Sequence, residues 1–564
     1  MRYAAYVSLV LTAQAFTIPL EKRGGPTITI ANGTVIGSTT SSVDSFKGIP
    51  FAQPPVGSFR LKPPQPLIDS FGTINAIGVP RACPQLYIGL DTSNLATSAV
   101  AALLNTPLVQ TVTDAGEDCL TLNVQRPAGT TSSSSLPVVV WIFGGGFEFG
   151  STQLYDGTSL ITKSVALGSP VVYVAMNYRV SGFGFLGGQE LADEGSTNLG
   201  LRDQRLALQW VQDNIAAFGG DPSKVTIWGE SAGSISAFDH TIINGGDNTY
   251  QGKPLFRGAI MESGSVVPAE PVTGVSAQNI YNTVVESAGC SSADDTLACL
   301  RGKDYTTFLN AVNSVPSIIS YHSLDLSYLP RPDPSSNFFS ISPELSVASG
   351  AFAKVPIIIG DQEDEGTLFS LFVGNITNND ELVAYIASYF PTNPNAQSLV
   401  AGLASNYPDD LGISGSPFNT GLANNIYPQY KRLAAILGDI TFTLSRRVYL
   451  SVVASQVPAW SYLSSYFYGL PVLGTFHASD VPYAFGYLGE NVPTTSIQTY
   501  YISFINSLDP NAISAGSPLI NWPQWSTSSP QLLNFQAVQN TLLTDDFRQS
   551  ASQYILENVL QFRV

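Results

Sequence analysis

The 564-residue chain reads as an α/β protein built on a central, mostly parallel sheet with crossover helices. Three observations carry that reading. Apolar runs of strand length, rich in β-branched and aromatic residues, recur at Pro137 to Phe143, Val171 to Met176, Val225 to Trp228, Phe256 to Met261 and Val355 to Ile359. Runs apolar on both faces belong in a parallel sheet covered on both sides. Between two of them, Leu206, Trp210, Val211, Ile215 and Phe218 mark an apolar face at helical spacing, which supplies a crossover. The third observation is Gly229-Glu-Ser231-Ala-Gly233, directly after the Val225 strand. It reads as a tight strand-to-helix turn that leaves one serine hydroxyl exposed on a pinned backbone.

The length suits one large α/β unit with insertions, and 44% hydrophobic residues can build its core. No repeat interrupts it, and the low-complexity run from Thr130 to Ser135 reads as a solvent loop. The region from roughly 380 to 460 reads as mostly helical, with no catalytic motif.

The first residues read as processing signals. Arg2, an apolar run from Ala4 to Leu11 and Ala13-Gln-Ala15 form a signal peptide over residues 1–15. Lys22-Arg23 then closes a pro-peptide over residues 16–23, leaving a single domain over 24–564. No other segment is long and apolar enough for a membrane helix, so the expectation is a secreted protein. Four cysteines suit an oxidising compartment, and Cys83–Cys119 with Cys290–Cys299 is the simplest pairing. They lack the C-x-x-C or histidine clusters of a metal site, and no metal is expected. Asn32 and Asn375 open glycosylation sequons that matter only after secretion.

The net charge is −17. Loss of residues 1–23 removes Arg2, Lys22, Arg23 and Glu21, a net +2, and leaves −19. Such acidity excludes nucleic acid as a partner and repels anionic headgroups, so any lipid contact must be hydrophobic.

A serine hydroxyl needs a base to take its proton and an acid to orient that base. Only three histidines exist. His240 follows the serine closely and His322 lies in a Ser/Tyr-rich stretch; a lone histidine is usually structural, and both are read so. His477, in Gly474-Thr-Phe-His477-Ala-Ser-Asp480, is the candidate base. The acid should follow a strand and precede His477. The turn after Val355 to Ile359 offers Asp361, Glu363, Asp364 and Glu365, among which pattern alone does not choose. Backbone N–H donors for a developing oxyanion are expected from Ala232 and from Gly144-Gly-Gly146-Phe147. That loop lacks the lysine of a phosphate-binding loop.

These segments resemble the type-B carboxylesterase/lipase family. The likeness rests on the nucleophile turn, Glu117-Asp-Cys119-Leu-Thr-Leu-Asn-Val-Gln-Arg-Pro127, Gly144 to Phe147, Asn198-Leu-Gly-Leu-Arg-Asp-Gln204 and Glu262-Ser-Gly-Ser265. Within the family, Leu329-Pro-Arg-Pro-Asp333, the Gly360 to Thr367 turn and Gly474-Thr-Phe-His477 are most similar to secreted fungal lipases and sterol esterases. The resemblance implies an α/β-hydrolase fold with a Ser231–His477–Glu365 triad and Gly145, Gly146 and Ala232 as oxyanion donors. It selects Glu365 because the family's acid sits in Asp-Glu-Gly-Thr. It supports both disulfides and implies that the first tethers a lid, here residues 84–118. Leu86, Tyr87, Ile88, Leu90, Val100, Leu103, Leu104, Leu108 and Val109 form its apolar set.

The expected function is hydrolysis of long-chain acylglycerols and sterol esters through an acyl-enzyme, without cofactor. Lipid aggregates are expected to meet the lid, and two open copies to pair through it. The alternatives are a carboxylesterase for short or aryl esters and, remotely, a binding protein of the same fold. All three triad residues are present, which weighs against the last.

Overall fold

In the computed structural model, residues 25–87, 97–104, 106, 112–513 and 518–564 are described. Among them, an eleven-stranded sheet organises the molecule. Its strands are β1 (Ser38–Thr40), β2 (Val43–Pro50), β3 (Thr121–Pro127), β4 (Leu136–Ile142), β5 (Val172–Met176), β6 (Gly220–Glu230), β7 (Gly258–Glu262), β8 (Ile357–Gln362), β9 (Ala459–Ser464), β10 (Gln531–Phe535) and β11 (Thr541–Thr544). The spatial order is β11-β10-β9-β8-β7-β6-β4-β5-β3-β2-β1. From β10 to β5 every pairing is parallel. The outer pairs β10–β11, β5–β3, β3–β2 and β2–β1 are antiparallel. The sheet is therefore the predicted α/β-hydrolase architecture. A separate three-stranded sheet packs Thr27–Ile30, Gly33–Ile36 and Gly72–Asn75.

The expected strands appear with shifted ends. The largest change is β6, which begins at Gly220 rather than Val225 because it extends its pairing with β4 back to Leu136. Residues Val138 to Ile142, Val172 to Met176 and Val225 to Glu230 are fully buried, as double-sided cover requires. Helix α1 (Leu199–Asn214) buries Leu208, Trp210 and Val211, and a 3₁₀ turn carries Ile215 and Phe218 to the same core. Leu206 lies at the edge of that face, packed against the core but only partly buried.

The region from 380 to 460 is less uniformly helical than its composition suggests. Helices cover Asn379–Ala387, Ala396–Ala404, Tyr430–Gly438 and Leu444–Val453, whereas residues 405–429 are irregular. That stretch contains Pro408, Gly412, Gly415, Pro417 and Gly421, which interrupt any regular ladder.

Both expected disulfides are present, Cys83–Cys119 and Cys290–Cys299. The expected signal peptide and pro-peptide, and Ile88, Leu90, Leu108 and Val109 of the expected lid, lie outside the described residues. No described helix is long and apolar enough to cross a membrane.

Candidate active site

The parallel register lines up strand ends, and the site is built on them. Glu230 pairs with Glu262, and Glu262 with Gly360, so β6, β7 and β8 finish side by side. Their following loops open on one edge of the sheet, where ligands of open α/β sheets bind.

After Glu230 the chain turns within one residue into helix α2 (Ala232–Ile242). Ser231 takes φ 54° and ψ −124°, a conformation that costs a non-glycine residue about 1–3 kcal/mol. Its surroundings hold it there. The Ser231 N–H donates to the Glu262 carbonyl at 2.8 Å. A Cβ at Gly229 would lie 2.2 Å from the Gly233 carbonyl oxygen, and one at Gly233 only 2.0 Å from that of Ile142. Both glycines are required by close approach, as the sequence motif implied.

The hydroxyl of Ser231 lies 2.8 Å from His477 Nε2, and His477 Nδ1 lies 2.6 Å from Glu365 Oε2. A carboxylate can only accept there, which places the imidazole proton on Nδ1 and leaves Nε2 to accept from serine. Glu365 Oε1 accepts the Gln362 N–H at 2.7 Å, so the last residue of β8 fixes its direction. The imidazole is flanked by Phe369 and Phe442, with ring centroids 5.0 and 4.6 Å away. His477 and Glu365 are both 1% exposed.

The other three carboxylates of the turn make no hydrogen bond or ion pair with His477. Asp361 accepts from Arg446 Nε at 2.8 Å. Asp364 accepts from the Ser416 hydroxyl and from the N–H groups of Phe418 and Thr475. Burial pushes Glu363 up to about 8, with the Asp364 charge adding to it. The structure thus brings only Glu365 to His477. His240 is buried within α2, its Nε2 3.0 Å from Gln204 Oε1, and burial lowers it to about 3, helped by the Arg205 charge. His322 is exposed beside Asp325.

A group of acids beneath His477 escapes sequence reasoning. Glu230 Oε1 lies 3.4 Å from His477 Nε2, and Glu262 accepts from the Tyr501 hydroxyl at 2.6 Å. Asp480 accepts from the Gln362 amide at 2.6 Å. Burial first, then the Asp480 charge, pushes Glu230 and Glu262 well above the carboxylate range. Burial and the Glu365 charge push Asp480 up to about 7. The upward shifts of Glu230 and Glu262 favour their uncharged forms, which add hydrogen-bonding capacity near the imidazole. The one local hint was Glu230 itself, inside the Gly-x-Ser-x-Gly turn.

Of the expected oxyanion donors, Gly146 and Ala232 line the cavity that opens from Ser231, whereas Gly145 faces a smaller neighbouring space with Glu230 and Tyr155. The N–H groups of all three donate to no acceptor among the described residues. The cavity at Ser231, of about 90 Å³, is walled largely by apolar side chains, including Ile235, Ile318, Leu326, Phe339, Phe369 and Phe442. The candidate lid contributes a helix at Thr97–Leu104, whose Ala99 and Leu103 bury into the cluster containing Ile318 and Phe369. Tyr87 and Leu104 are exposed. Asn375 is exposed, and Asn32 sits half-buried in the turn before Gly33. Among the described residues, no group of three or more His, Cys, Asp or Glu could hold a metal ion.

A strained serine beside a buried imidazole, on the carboxyl edge of this sheet, is the candidate site of a protein with the α/β-hydrolase fold. The chain belongs to the carboxylesterase family, whose model matches residues 24–555, and it is a carboxylic ester hydrolase. It is similar to secreted lipase 1 of Botryotinia fuckeliana, 56% identical over 554 residues covering 97% of this chain and 96% of the relative. A secreted triacylglycerol lipase of Gibberella zeae is 51% identical over 542 residues, covering 95% and 91%. Among solved structures, Aspergillus niger EstA superposes with a TM-score of 0.78 at 27% identity, covering 96% of this chain and 99% of that one.

Proposed function

We propose that the protein is a secreted lipase and sterol esterase that cleaves long-chain acylglycerols and sterol esters through an acyl-enzyme. Ser231 attacks the ester carbonyl, and His477 Nε2 takes its proton. Glu365 holds the imidazole in the right tautomer and stabilises the cation that forms. The backbone N–H groups of Gly145, Gly146 and Ala232 stabilise the oxyanion. His477 then donates its proton to the leaving alcohol, and water repeats the sequence to release the acid. Each step needs only protein groups and water.

The observation that carries the long-chain reading is the apolar cavity leading directly from Ser231 along α2. The printed names of the two fungal relatives support it. Residues 84–118, tethered by Cys83–Cys119, act as a lid whose apolar face meets lipid aggregates, and two open copies pair through that face. Secretion follows removal of residues 1–15 and 16–23, with glycans on Asn32 and Asn375. Hydrolysis rates on p-nitrophenyl esters of rising acyl length, with a cholesteryl ester in detergent alongside, test the proposal. Rates that rise with chain length support it. A steep preference for acetate, with no turnover of the cholesteryl ester, overturns it in favour of a short-chain carboxylesterase.

A further inference from the structure

Besides Tyr389, whose hydroxyl pairs with that of Tyr385, and Thr441, the acyl cavity is lined by one carboxyl that the hydrolytic chemistry leaves unused. Ser231, Ile235 and Asp239 are spaced four residues apart, so α2 presents all three on one face, and all three line the cavity. Asp239 is 1% exposed. Its carboxyl makes no hydrogen bond or ion pair with any described residue, and Oδ1 is wholly buried without a partner. The polar neighbours on its own helix and on α1 do not pair with it, though His240 Nδ1 and Arg205 Nη1 also lack a partner among the described residues. His240 faces Gln204, and Arg205 donates to the carbonyls of Asp247 and Thr249.

A buried carboxyl with no partner is costly, because the desolvation of both oxygens goes uncompensated. Burial alone holds this one well above the carboxylate range. Burial favours its uncharged form, which can both donate and accept one hydrogen bond. The rest of the cavity wall, including Val266, Val267 and Phe339, is largely apolar. What completes the group must enter through the cavity.

We propose that Asp239 is a specificity-determining residue that hydrogen-bonds a mid-chain hydroxyl of the acyl group, so that the enzyme favours esters of hydroxylated fatty acids. This rests on the assignment of the cavity to the acyl chain. The position of the hydroxyl follows from the helix. Eight residues separate Ser231 from Asp239, a rise of about 12 Å at roughly 1.5 Å per residue. An extended acyl chain with C–C bonds of about 1.5 Å advances about 1.25 Å per carbon, so the matching carbon is about the tenth. An unsubstituted chain would leave the carboxyl unpaired, as it is in the empty cavity.

The test is the ratio of kcat/KM for p-nitrophenyl 10-hydroxyoctadecanoate over p-nitrophenyl octadecanoate. The corresponding methyl esters are also measured as competitors of p-nitrophenyl butyrate hydrolysis. The expected ratio is about five- to tenfold in favour of the hydroxylated chain, the size of one net hydrogen bond. Asp239→Leu brings it to about one by accelerating the plain chain and slowing the hydroxylated one, while Asp239→Asn, which still donates and accepts, keeps the preference. Moving the hydroxyl to the fifth or fifteenth carbon abolishes the preference in the unaltered enzyme, a readout that needs no variant. A ratio near one, a response flat with hydroxyl position, or a ratio unchanged in Asp239→Leu overturns the proposal. Failure of the long-chain reading itself shows separately, as butyrate turnover without octadecanoate turnover. The competition ratio then still reports on Asp239.

Discussion

The two ends of helix α2 put buried polar groups under opposite regimes. At the N-terminal end, Ser231, His477 and Glu365 are joined by bonds of 2.8 and 2.6 Å, on a backbone wedged against β4. At the C-terminal end, Asp239 has no partner and His240 has one neutral amide. Burial is nearly complete at both ends. Pairing differs. Partners with oriented lone pairs give His477 a defined tautomer and a proton to exchange, whereas burial, joined at His240 by the Arg205 charge, drives Asp239 and His240 toward their uncharged forms. A buried histidine is therefore a base for chemistry only where an acceptor stands on one side of the ring and a hydroxyl on the other.

Substitutions sharpen that contrast. Ser231→Ala should lower kcat on any ester by roughly 10⁶-fold with the fold intact, read by circular dichroism beside the assay. Full activity in that variant would end the mechanism. Glu365→Gln should cost roughly 10⁴-fold, since an amide can hold the wrong tautomer. His240→Asn, at the other end, should stay within a few-fold of the unaltered enzyme. Comparable losses in the two variants would erase the distinction between the histidines.

Stability measurements probe the same helix. Gly233→Ala forces a Cβ to within 2.0 Å of the Ile142 carbonyl oxygen. It should lose on the order of 3 kcal/mol in urea unfolding. The smallest effect concerns acid. His240 falls from 6.5 to about 3 in the folded chain, so the unfolded chain binds the extra proton. The stability this group contributes is complete above 6.5 and is lost as pH falls toward 3. Between pH 6.5 and 5 the loss should be about 2 kcal/mol, and unfolding of His240→Asn across that interval should lack it. An identical pH slope in both proteins would refute the burial argument.

Much of this was legible in the chain because it is local. The strand, the elbow and its two glycines lie within Val225 to Gly233, and each constraint acts between near neighbours. Scarcity singled out His477 because only three histidines exist. The edges of the reading failed where local signals do. The start of β6 depends on pairing with Leu136, and the irregular 405–429 segment interrupts a region of helical composition.

The sequence by itself determined the parallel-sheet class, the elbow at Ser231, the acidity and the simplest cysteine pairing. Those follow from periodicity, charge and steric rules that act over a few residues. Tertiary structure decided which of Asp361, Glu363, Asp364 and Glu365 meets His477, across 112 residues for the pair it joins. It also decided that Glu230, Glu262 and Asp480 converge beneath the imidazole, and that Asp239 looks into a cavity rather than at a partner. Such outcomes depend on strand register and on which long-range contacts close around a side chain. No window of sequence contains the groups that sit on the far side of a pocket.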